Sequence, residues 1–282
     1  LPMNLLRPLI ALSAFPGLTA FAVAGDAIIL LPQAVKLTGP EARQSLLVET
    51  VDGTLVTGPV KDGVTFSSEN EAVAKVVGGQ IIPTGDGTTA ITASIAGQTA
   101  RAQVTVAAFS AKHQWSFRNH VQSVLSKTGC NSGACHGATA GKNGFKLSLR
   151  GYDPEADFFA ITRQARGRRV APDDPGRSLV LTKPTGAIPH KGGVRFPDDS
   201  PEYKVIAQWL AQGQVGPTPE DARAIRLEIV PAAARLKAGA EQQMIVRVHF
   251  SDGHVEDVTR WAKYTASNHS VCTVDDLGLV KV

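Results

Sequence analysis

The chain has 282 residues and a formal net charge of +4, and hydrophobic residues make up 43% of it. This length suffices for two or three domains, and this hydrophobic content excludes a wholly disordered chain. No aromatic residues alternate with a basic stripe, so the sequence predicts no nucleic-acid partner.

The first 24 residues have the pattern of a secretory signal. Arg7 is the only early charge, an apolar stretch covers 9–24, and the A-V-A at 22–24 fits an A-x-A cleavage site. The stretch is short for a membrane span, with an uncleaved anchor as the alternative. We therefore expect residues 1–24 to be a signal peptide, the protein to be exported to the periplasm or cell surface, and no membrane span to remain after cleavage.

Two stretches of the chain repeat one another. Residues 66–76 align with residues 264–274, and an aromatic residue, an asparagine and two valines stand at identical offsets. An Asp-Gly turn signal precedes each stretch. Short β-branched segments broken by such turns are typical of antiparallel sandwiches, so we expect an all-β sandwich over 27–108 and a second one over 224–282.

The second copy stops at Val282, before the counterparts of the strands predicted at 89–93 and 102–106 in the first copy. A sandwich that lacks two strands exposes an edge of its core. The sequence therefore predicts an incomplete second sandwich and indicates the N-terminal part of a longer protein. We expect no enzymatic activity in these residues and would look for catalysis in a part beyond them.

The segment 110–217 differs in character from its flanks. Helical periodicity predicts one helix from Trp115 to Lys127, ended by Gly129. A second helix is predicted to begin at Ser200-Pro201 and to end at Gly213. The apolar faces of the two helices consist of Phe117, Val121, Val124 and Leu125, and of Tyr203, Ile206, Trp209 and Leu210.

Directly after the first of these helices comes C-N-S-G-A-C-H, residues 130–136. Two cysteines followed at once by a histidine form the pattern that attaches a c-type haem, because the sulfurs can add to its vinyl groups and the imidazole can ligate its iron. The usual spacing is C-x-x-C-H, and the extra residues here are small enough to loop out. Cys130 and Cys135 are thus the predicted attachment residues of one covalent haem c, and His136 is the predicted proximal metal ligand.

A second iron ligand is predicted by elimination. The segment contains no methionine, which excludes a His/Met pair within it, and its remaining histidines are His113, His120 and His190. His190 lies just before the last helix, and the following Gly-Gly at 192–193 would let backbone lie close to a flat ring. His190 is therefore the predicted distal metal ligand, with an open or water-bound position as the alternative.

Other polar residues could contact such a cofactor or a partner. Arginine pairs with carboxylates in a bidentate fork. The candidates for hydrogen bonds to haem propionates are Arg150, Tyr152 and Arg195, each of which could equally be a surface residue. The one dense basic cluster consists of Arg163, Arg166, Arg168 and Arg169. It is a solvated face, a docking patch for an acidic redox partner or a propionate contact.

Residues 129–137 with 141–153, and also 183–196, resemble the cytochrome c-type domain of large exported planctomycete proteins. The flanks, 27–108 and 224–282, resemble the bacterial Ig-like domains of group 2 that often accompany it. The resemblance implies a multidomain chain: an all-β Ig-like sandwich, a mainly α cytochrome c-like domain and a second, incomplete Ig-like β-sandwich. It also implies one covalent haem c and electron transfer with a redox partner protein.

Three other functions remain open. Without ligation by His190 an open iron site could support peroxidase-like chemistry, although no convincing acid/base pair accompanies it. Cys130, Cys135, His136 and a further histidine could form a structural zinc site. A Cys130–Cys135 disulfide could instead stabilise a cell-surface adhesion module. The third cysteine, Cys272, is expected to be a small buried residue in a strand.

Overall fold

The computed structural model describes residues 27–282, so the predicted signal peptide lies outside the described residues. Strands account for 32% of the structure and helical segments for 18%. Three parts follow one another, which we call the first repeat (27–108), the central segment (110–217) and the second repeat (224–282).

The first repeat is built from strands that form three sheets. They are β1 Ala27–Leu31, β2 Ala34–Thr38, β3 Gln44–Ser45, β4 Leu47–Asp52, β5 Leu55–Pro59, β6 Thr65–Ser68, β7 Ala74–Val77, β8 Gln80–Pro83, β9 Gly87–Ile95 and β10 Gln98–Ala107. The sheet orders are β1-β4-β5, β2-β10-β9-β6 and β3-β8-β7. Strands β2 and β10 pair in parallel, so the pairing is not purely antiparallel as predicted.

The core of the first repeat lies between its sheets. Alternate residues of β10 point inward, since Ala102, Val104 and Val106 are buried and their neighbours are exposed. They pack in one cluster with Leu30 of β1 and Ile91 of β9. The two longest strands therefore cover the face that β1 presents.

Four α-helices lie in the central segment: α1 Gln122–Lys127, α2 Pro154–Thr162, α3 Leu179–Thr182 and α4 Pro201–Ala211. A π-helical turn over Phe117–Val121 leads directly into α1. The predicted start of the last helix is confirmed, because the Ser200 side chain accepts a hydrogen bond from the Tyr203 backbone N–H.

The prediction of a mainly α cytochrome c-like domain is wrong. The four α-helices have only 6, 9, 4 and 11 residues. The structure is mostly β, with several small sheets and no substantial all-α domain. Residues with left-handed backbone interrupt the helical stretches, for example Gly151 and Gly167, which end two 3₁₀ turns at positive φ. The two predicted helical stretches are therefore present, but mostly turns and irregular segments lie between them.

The two apolar faces predicted in the central segment are buried together. Phe117, Val121, Val124 and Leu125 belong to the same cluster as Ile206, Trp209 and Leu210. The ring centres of Phe117 and Trp209 lie 5.4 Å apart. The first and last helical stretches therefore pack against each other, and the segment between them packs on this pair.

Strands of the second repeat are β11 Ala224–Val230, β12 Glu241–Gln243, β13 Ile245–Phe250, β14 Val255–Asp257, β15 Thr273–Val274 and β16 Leu279–Lys281. Their sheet orders, β11-β13-β14 and β12-β16-β15, reproduce the orders β1-β4-β5 and β3-β8-β7 of the first repeat. The internal repeat therefore extends from sequence to strand pairing. Cys272 is half-buried just before β15 rather than inside a strand, which corrects the prediction for this cysteine.

Polar contacts join the three parts. Arg260 of the second repeat donates two hydrogen bonds of 2.8 Å to the Glu202 carboxylate at the start of α4. Gln242 donates a 2.6 Å bond to the buried Glu49 of the first repeat. Between Ala27 and Val282, none of the helices has the length and apolar character to cross a membrane.

Candidate functional site

The loop that carries the two cysteines follows α1 directly and is tied together by its own backbone. The Cys130 N–H donates to the Leu125 carbonyl at 2.9 Å, and the His136 N–H donates to the Cys130 carbonyl at 2.9 Å. A Cβ on Gly137 would lie 2.1 Å from the Asn131 carbonyl oxygen, so only glycine fits there. The four residues between the cysteines therefore fold into a compact turn that brings His136 back beside Cys130.

The two cysteines of this loop have different surroundings. Cys130 is buried in the central core, and its Sγ lies 3.3 Å from the Thr128 hydroxyl. Burial raises the pKa of the Cys130 thiol. Cys135 is half-buried, and Arg195 donates a hydrogen bond of 3.3 Å to its Sγ. All three cysteines of the chain are free thiols in the structure.

The ring of His136 is oriented by the segment that follows the loop. Its Nδ1 lies 3.0 Å from the Phe145 carbonyl oxygen, and the centres of the His136 and Phe145 rings lie 4.5 Å apart. Burial lowers the pKa of His136, while the bond to the Phe145 carbonyl opposes this shift. The neutral imidazole therefore carries its proton on Nδ1, which leaves the lone pair of Nε2 free to ligate a metal.

The ring of His190 is likewise held by a backbone carbonyl, from its own loop. Its Nδ1 lies 2.9 Å from the Gly193 carbonyl oxygen. A Cβ on Gly192 would lie 2.7 Å from Cε1 of this ring, so the glycine lets the backbone approach the imidazole closely. The rings of His136 and His190 lie 6.4 Å apart between centres, with an angle of 9° between their planes.

The other two candidate histidines are engaged elsewhere. His120 accepts a hydrogen bond from the Ser116 N–H at Nδ1, and its Nε2 lies 3.1 Å from the Glu256 carboxylate. His113 stands edge-on to the Trp115 ring, with a centre distance of 4.4 Å. His120 thus contacts the second repeat, and His113 lies next to it with ring centres 6.4 Å apart. His190 is the one histidine of the three that faces His136.

The structure brings only one of the three propionate candidates to the site. Arg195 contacts Cys135, as described above. The side chains of Arg150 and Tyr152 are exposed and make no hydrogen bond to residues 27–282. The site thus unites Cys130, Cys135, His136, His190 and Arg195.

Arg169 is a site residue that the sequence analysis treated only as one member of the basic cluster, as a solvated face, a docking patch or a propionate contact. It is buried, and its guanidinium group donates hydrogen bonds to the carbonyl oxygens of Ala160 and Gly144 at 2.8 and 3.0 Å. The same group lies 4.4 Å above the ring of Phe145. Arg169 therefore fixes the residue whose carbonyl orients His136. The dense run of arginines gave no signal that one of them turns inward.

A second supporting residue that sequence reasoning missed is Asp157. Its buried carboxylate accepts hydrogen bonds from the Ser148 N–H and hydroxyl and from the Gln122 side chain. These bonds join α1, α2 and the turn that follows the His136 loop. A carboxylate at the start of a helix is usually read as a capping residue, so the spacing gave no hint of this network.

The described part of the chain contains no set of ligands for the structural zinc site considered above. Residues 27–282 contain no group of three or more His, Cys, Asp or Glu side chains arranged to hold a metal ion. A structural zinc site needs four such ligands in a tetrahedron.

No family model matches this chain, and no curated protein matches it either.

Proposed function

We propose that the protein carries one covalently attached haem c and transfers electrons. The observation that carries this proposal is the pair of parallel imidazole rings, His136 and His190, beside the two cysteines. His136 would be the proximal ligand and His190 the distal one, and Cys130 and Cys135 would form the thioethers. Haem iron supplies one-electron transfer by cycling between its ferric and ferrous states.

The spacing of the two rings supports this assignment. An imidazole nitrogen lies about 2 Å from a metal such as zinc, so two ligands in line place their ring centres about 6 Å apart. The observed separation of 6.4 Å agrees with one metal between His136 and His190. A direct hydrogen bond between the two rings would need an N–N distance near 3 Å, and none is found between them.

The hydrogen bonds of the His136 and His190 rings also support their assignment as metal ligands. Histidines that ligate metals almost always donate their second N–H to a carbonyl or carboxylate, which fixes the tautomer and the ring orientation. Phe145 and Gly193 provide these carbonyl acceptors for His136 and His190. In residues 27–282 neither Nε2 has a hydrogen-bond partner, so both lone pairs are available.

Ligation by two histidines has a consequence for electron transfer. A methionine ligand raises the reduction potential of a haem iron relative to histidine. Since His190 would occupy the sixth position, we expect a potential below that of His/Met cytochromes. We also expect no open coordination site, which argues against the peroxidase-like alternative.

The partner we propose is a redox protein with an acidic surface. Arg163, Arg166 and Arg168 are exposed and make no ion pair with any residue in 27–282. They follow one another on the turn that leads into Arg169, whose guanidinium covers the Phe145 ring next to His136. Unpaired charges near a site steer oppositely charged partners toward it. We place the protein in the periplasm or at the cell surface, since haem c is attached outside the cytoplasm.

The test is expression in a bacterial host that carries a cytochrome c maturation system. The purified protein is denatured, separated on a gel and stained for haem, because thioethers survive denaturation. The wild-type chain and the Cys272→Ala control should stain, and the Cys130→Ala/Cys135→Ala variant should not. An unstained wild-type chain, next to a cytochrome that matures in the same cells, would refute the proposal and leave the adhesion module with a disulfide or zinc site at Cys130 and Cys135.

A further inference from the structure

Lys127 is a nearly buried lysine outside the candidate haem site. It is the last residue of α1, and only 9% of its side chain is exposed. A lysine is almost never buried to this extent unless its ammonium group is paired. Burial lowers the pKa of Lys127, because the charged form loses its contact with water. The ammonium group therefore needs acceptors within the protein.

These acceptors lie in the second repeat. The Lys127 Nζ donates a hydrogen bond of 2.5 Å to the carbonyl oxygen of Ala262 and another to the carbonyl oxygen of Asp276. It also lies 5.3 Å from the centre of the Tyr264 ring. The Asp276 carboxylate is 4.0 Å away, but this side chain is 97% exposed and contributes little. We call the two carbonyl groups and the Tyr264 ring the lysine cage.

The lysine cage is held in place by the second repeat itself. The Tyr264 hydroxyl donates a 2.8 Å hydrogen bond to the Thr259 carbonyl oxygen. A Cβ on Gly278 would lie 2.9 Å from the Tyr264 ring, so the glycine lets the backbone pack closely on it. Tyr264 aligns with Phe66 in the internal repeat, and Phe66 packs against the core of the first repeat. In the second repeat, the ring at this position receives an ammonium group from the central segment.

Lys127 is directly connected to the cysteine loop. Only Thr128 and Gly129 lie between it and Cys130. The Thr128 hydroxyl donates to the Val124 carbonyl oxygen at 2.8 Å and lies 3.3 Å from the Cys130 Sγ. Since α1 has only 6 residues, it is marginally stable by itself. A contact that fixes Lys127 therefore also fixes the start of the cysteine loop.

The second repeat also contacts the other end of this helical stretch. The Nε2 of His120, in the π-helical turn, lies 3.1 Å from the Glu256 carboxylate. In addition, Trp261 packs against the core of the central segment. The stretch from Phe117 to Lys127 is thus held near both ends by the same neighbour.

We propose that the second repeat positions the cysteine loop and that Lys127 is the positioning residue. The lysine cage holds the end of α1, and through it the Cys130 thiol, at one place in the core. The use of this position for thioether formation rests on the proposed function, whereas the position itself does not. The competing role for Lys127 is general stabilisation of the contact between the two parts, as in the pair of Arg260 and Glu202.

The test measures how often the Cys130 thiol opens to solvent. In the chain with Cys135→Ala/Cys272→Ala, Cys130 is the only thiol, and mass spectrometry follows its alkylation by iodoacetamide in the folded protein. Lys127→Met keeps the length and the apolar stem of the side chain but removes the ammonium group. Glu202→Ala is the matched control, because it removes a different contact between the same two parts. Urea unfolding gives the global stability of each variant.

We expect Lys127→Met to raise the alkylation rate about tenfold, since the loss of a buried charged donor frees the end of α1. Glu202→Ala should change this rate by less than about twofold, because it does not release α1. An unchanged rate in Lys127→Met would overturn the proposal. So would equal acceleration in the two variants, because Cys130 would then open only with the whole fold.

The Tyr264 ring tests whether Lys127 acts through the second repeat. Tyr264→Leu should accelerate the alkylation of Cys130, and Tyr264→Phe, which keeps the ring, should not. The double variant Lys127→Met/Tyr264→Leu should react no faster than Lys127→Met alone, because the two side chains act as a pair. Fully additive effects would contradict the positioning role. A wild-type chain that takes up no haem would refute the proposed function, but it would leave these thiol rates and their meaning unchanged.

Discussion

His136 and His190 face each other with nearly parallel rings, 6.4 Å apart between centres. They are 54 positions apart in the sequence. Each ring donates its Nδ1 proton to a carbonyl oxygen, which leaves the lone pair of its Nε2 free.

The first prediction concerns the distal ligand. If His190 is the distal ligand, His190→Ala in the haem-loaded protein should change the absorption spectrum from six-coordinate low-spin to high-spin, because this nitrogen ligand would be lost. His113→Ala is the control, since this residue stands against Trp115 instead. An unchanged low-spin spectrum in His190→Ala would mean that another group ligates the iron.

Gly192 should affect the position of the His190 ring, although Gly192 itself would not contact a metal. In Gly192→Ala the new methyl group would lie 2.7 Å from Cε1 of His190, so the ring must leave its present position opposite His136. We expect a mixture of low-spin and high-spin spectra with little change in stability. Gly176→Ala is the matched control, because its nearest atom would lie at 3.6 Å. Identical spectra of the two variants would contradict the prediction.

Glu49 should make stability depend on pH. It is fully buried against Gln242, and burial raises its pKa from 4.5 to about 7, although the bond from Gln242 opposes this. Glu49 Oε2 and Gln242 Oε1 have no hydrogen-bond partner, and a proton on the carboxyl group would supply the missing donor. The folded state thus holds this proton more tightly than the unfolded chain does.

Because the folded pKa of Glu49 exceeds the unfolded one, its stabilising effect is complete below pH 4.5 and is lost as the pH rises through about 7. The loss amounts to about 3 kcal/mol. Glu49→Gln should remove this decline, as measured by urea unfolding between pH 4 and pH 8. Parallel stability curves of the variant and the wild type would show that Glu49 does not titrate in this range.

The contact between α4 and the second repeat should depend on Arg260. Burial alone would raise the pKa of Glu202, but the hydrogen bonds from Arg260 lower it below the usual range. Arg260→Ala leaves this buried carboxylate without its partner and should cost about 1–3 kcal/mol, since the arginine is partly exposed.

The cost of Arg260→Ala should be present above pH 4.5 and should shrink as the pH falls and Glu202 takes up a proton. Unfolding by urea at pH 7 and pH 3.5 measures this difference. Arg177→Ala is the control, because its 3.9 Å ion pair with Asp174 is exposed. Equal costs for the two variants at pH 7 would contradict the prediction.

Local patterns in the sequence determined several parts of this protein. The cap at Ser200, the end of α1 before Gly129 and the buried helix faces follow from residues a few positions apart. The repeat was equally visible, since it is a comparison of the chain with itself. The choice of His190 rested on the absence of methionine, its place before the last helix and the glycines after it, and it stays a prediction.

Only the tertiary structure decided the rest, because it depends on contacts between distant residues. The prediction of a mainly α domain was wrong because most of the chain between α1 and α4 forms turns and irregular segments, with only the short helices α2 and α3. Arg169 turns inward because Phe145 and the carbonyls of Ala160 and Gly144 surround its guanidinium group, which no local pattern records. Leu30 is buried and Ile229 is exposed although they occupy equivalent positions in the two repeats. Strand β1, which carries Leu30, is covered by β10, whereas β11, which carries Ile229, has no such neighbour in residues 27–282.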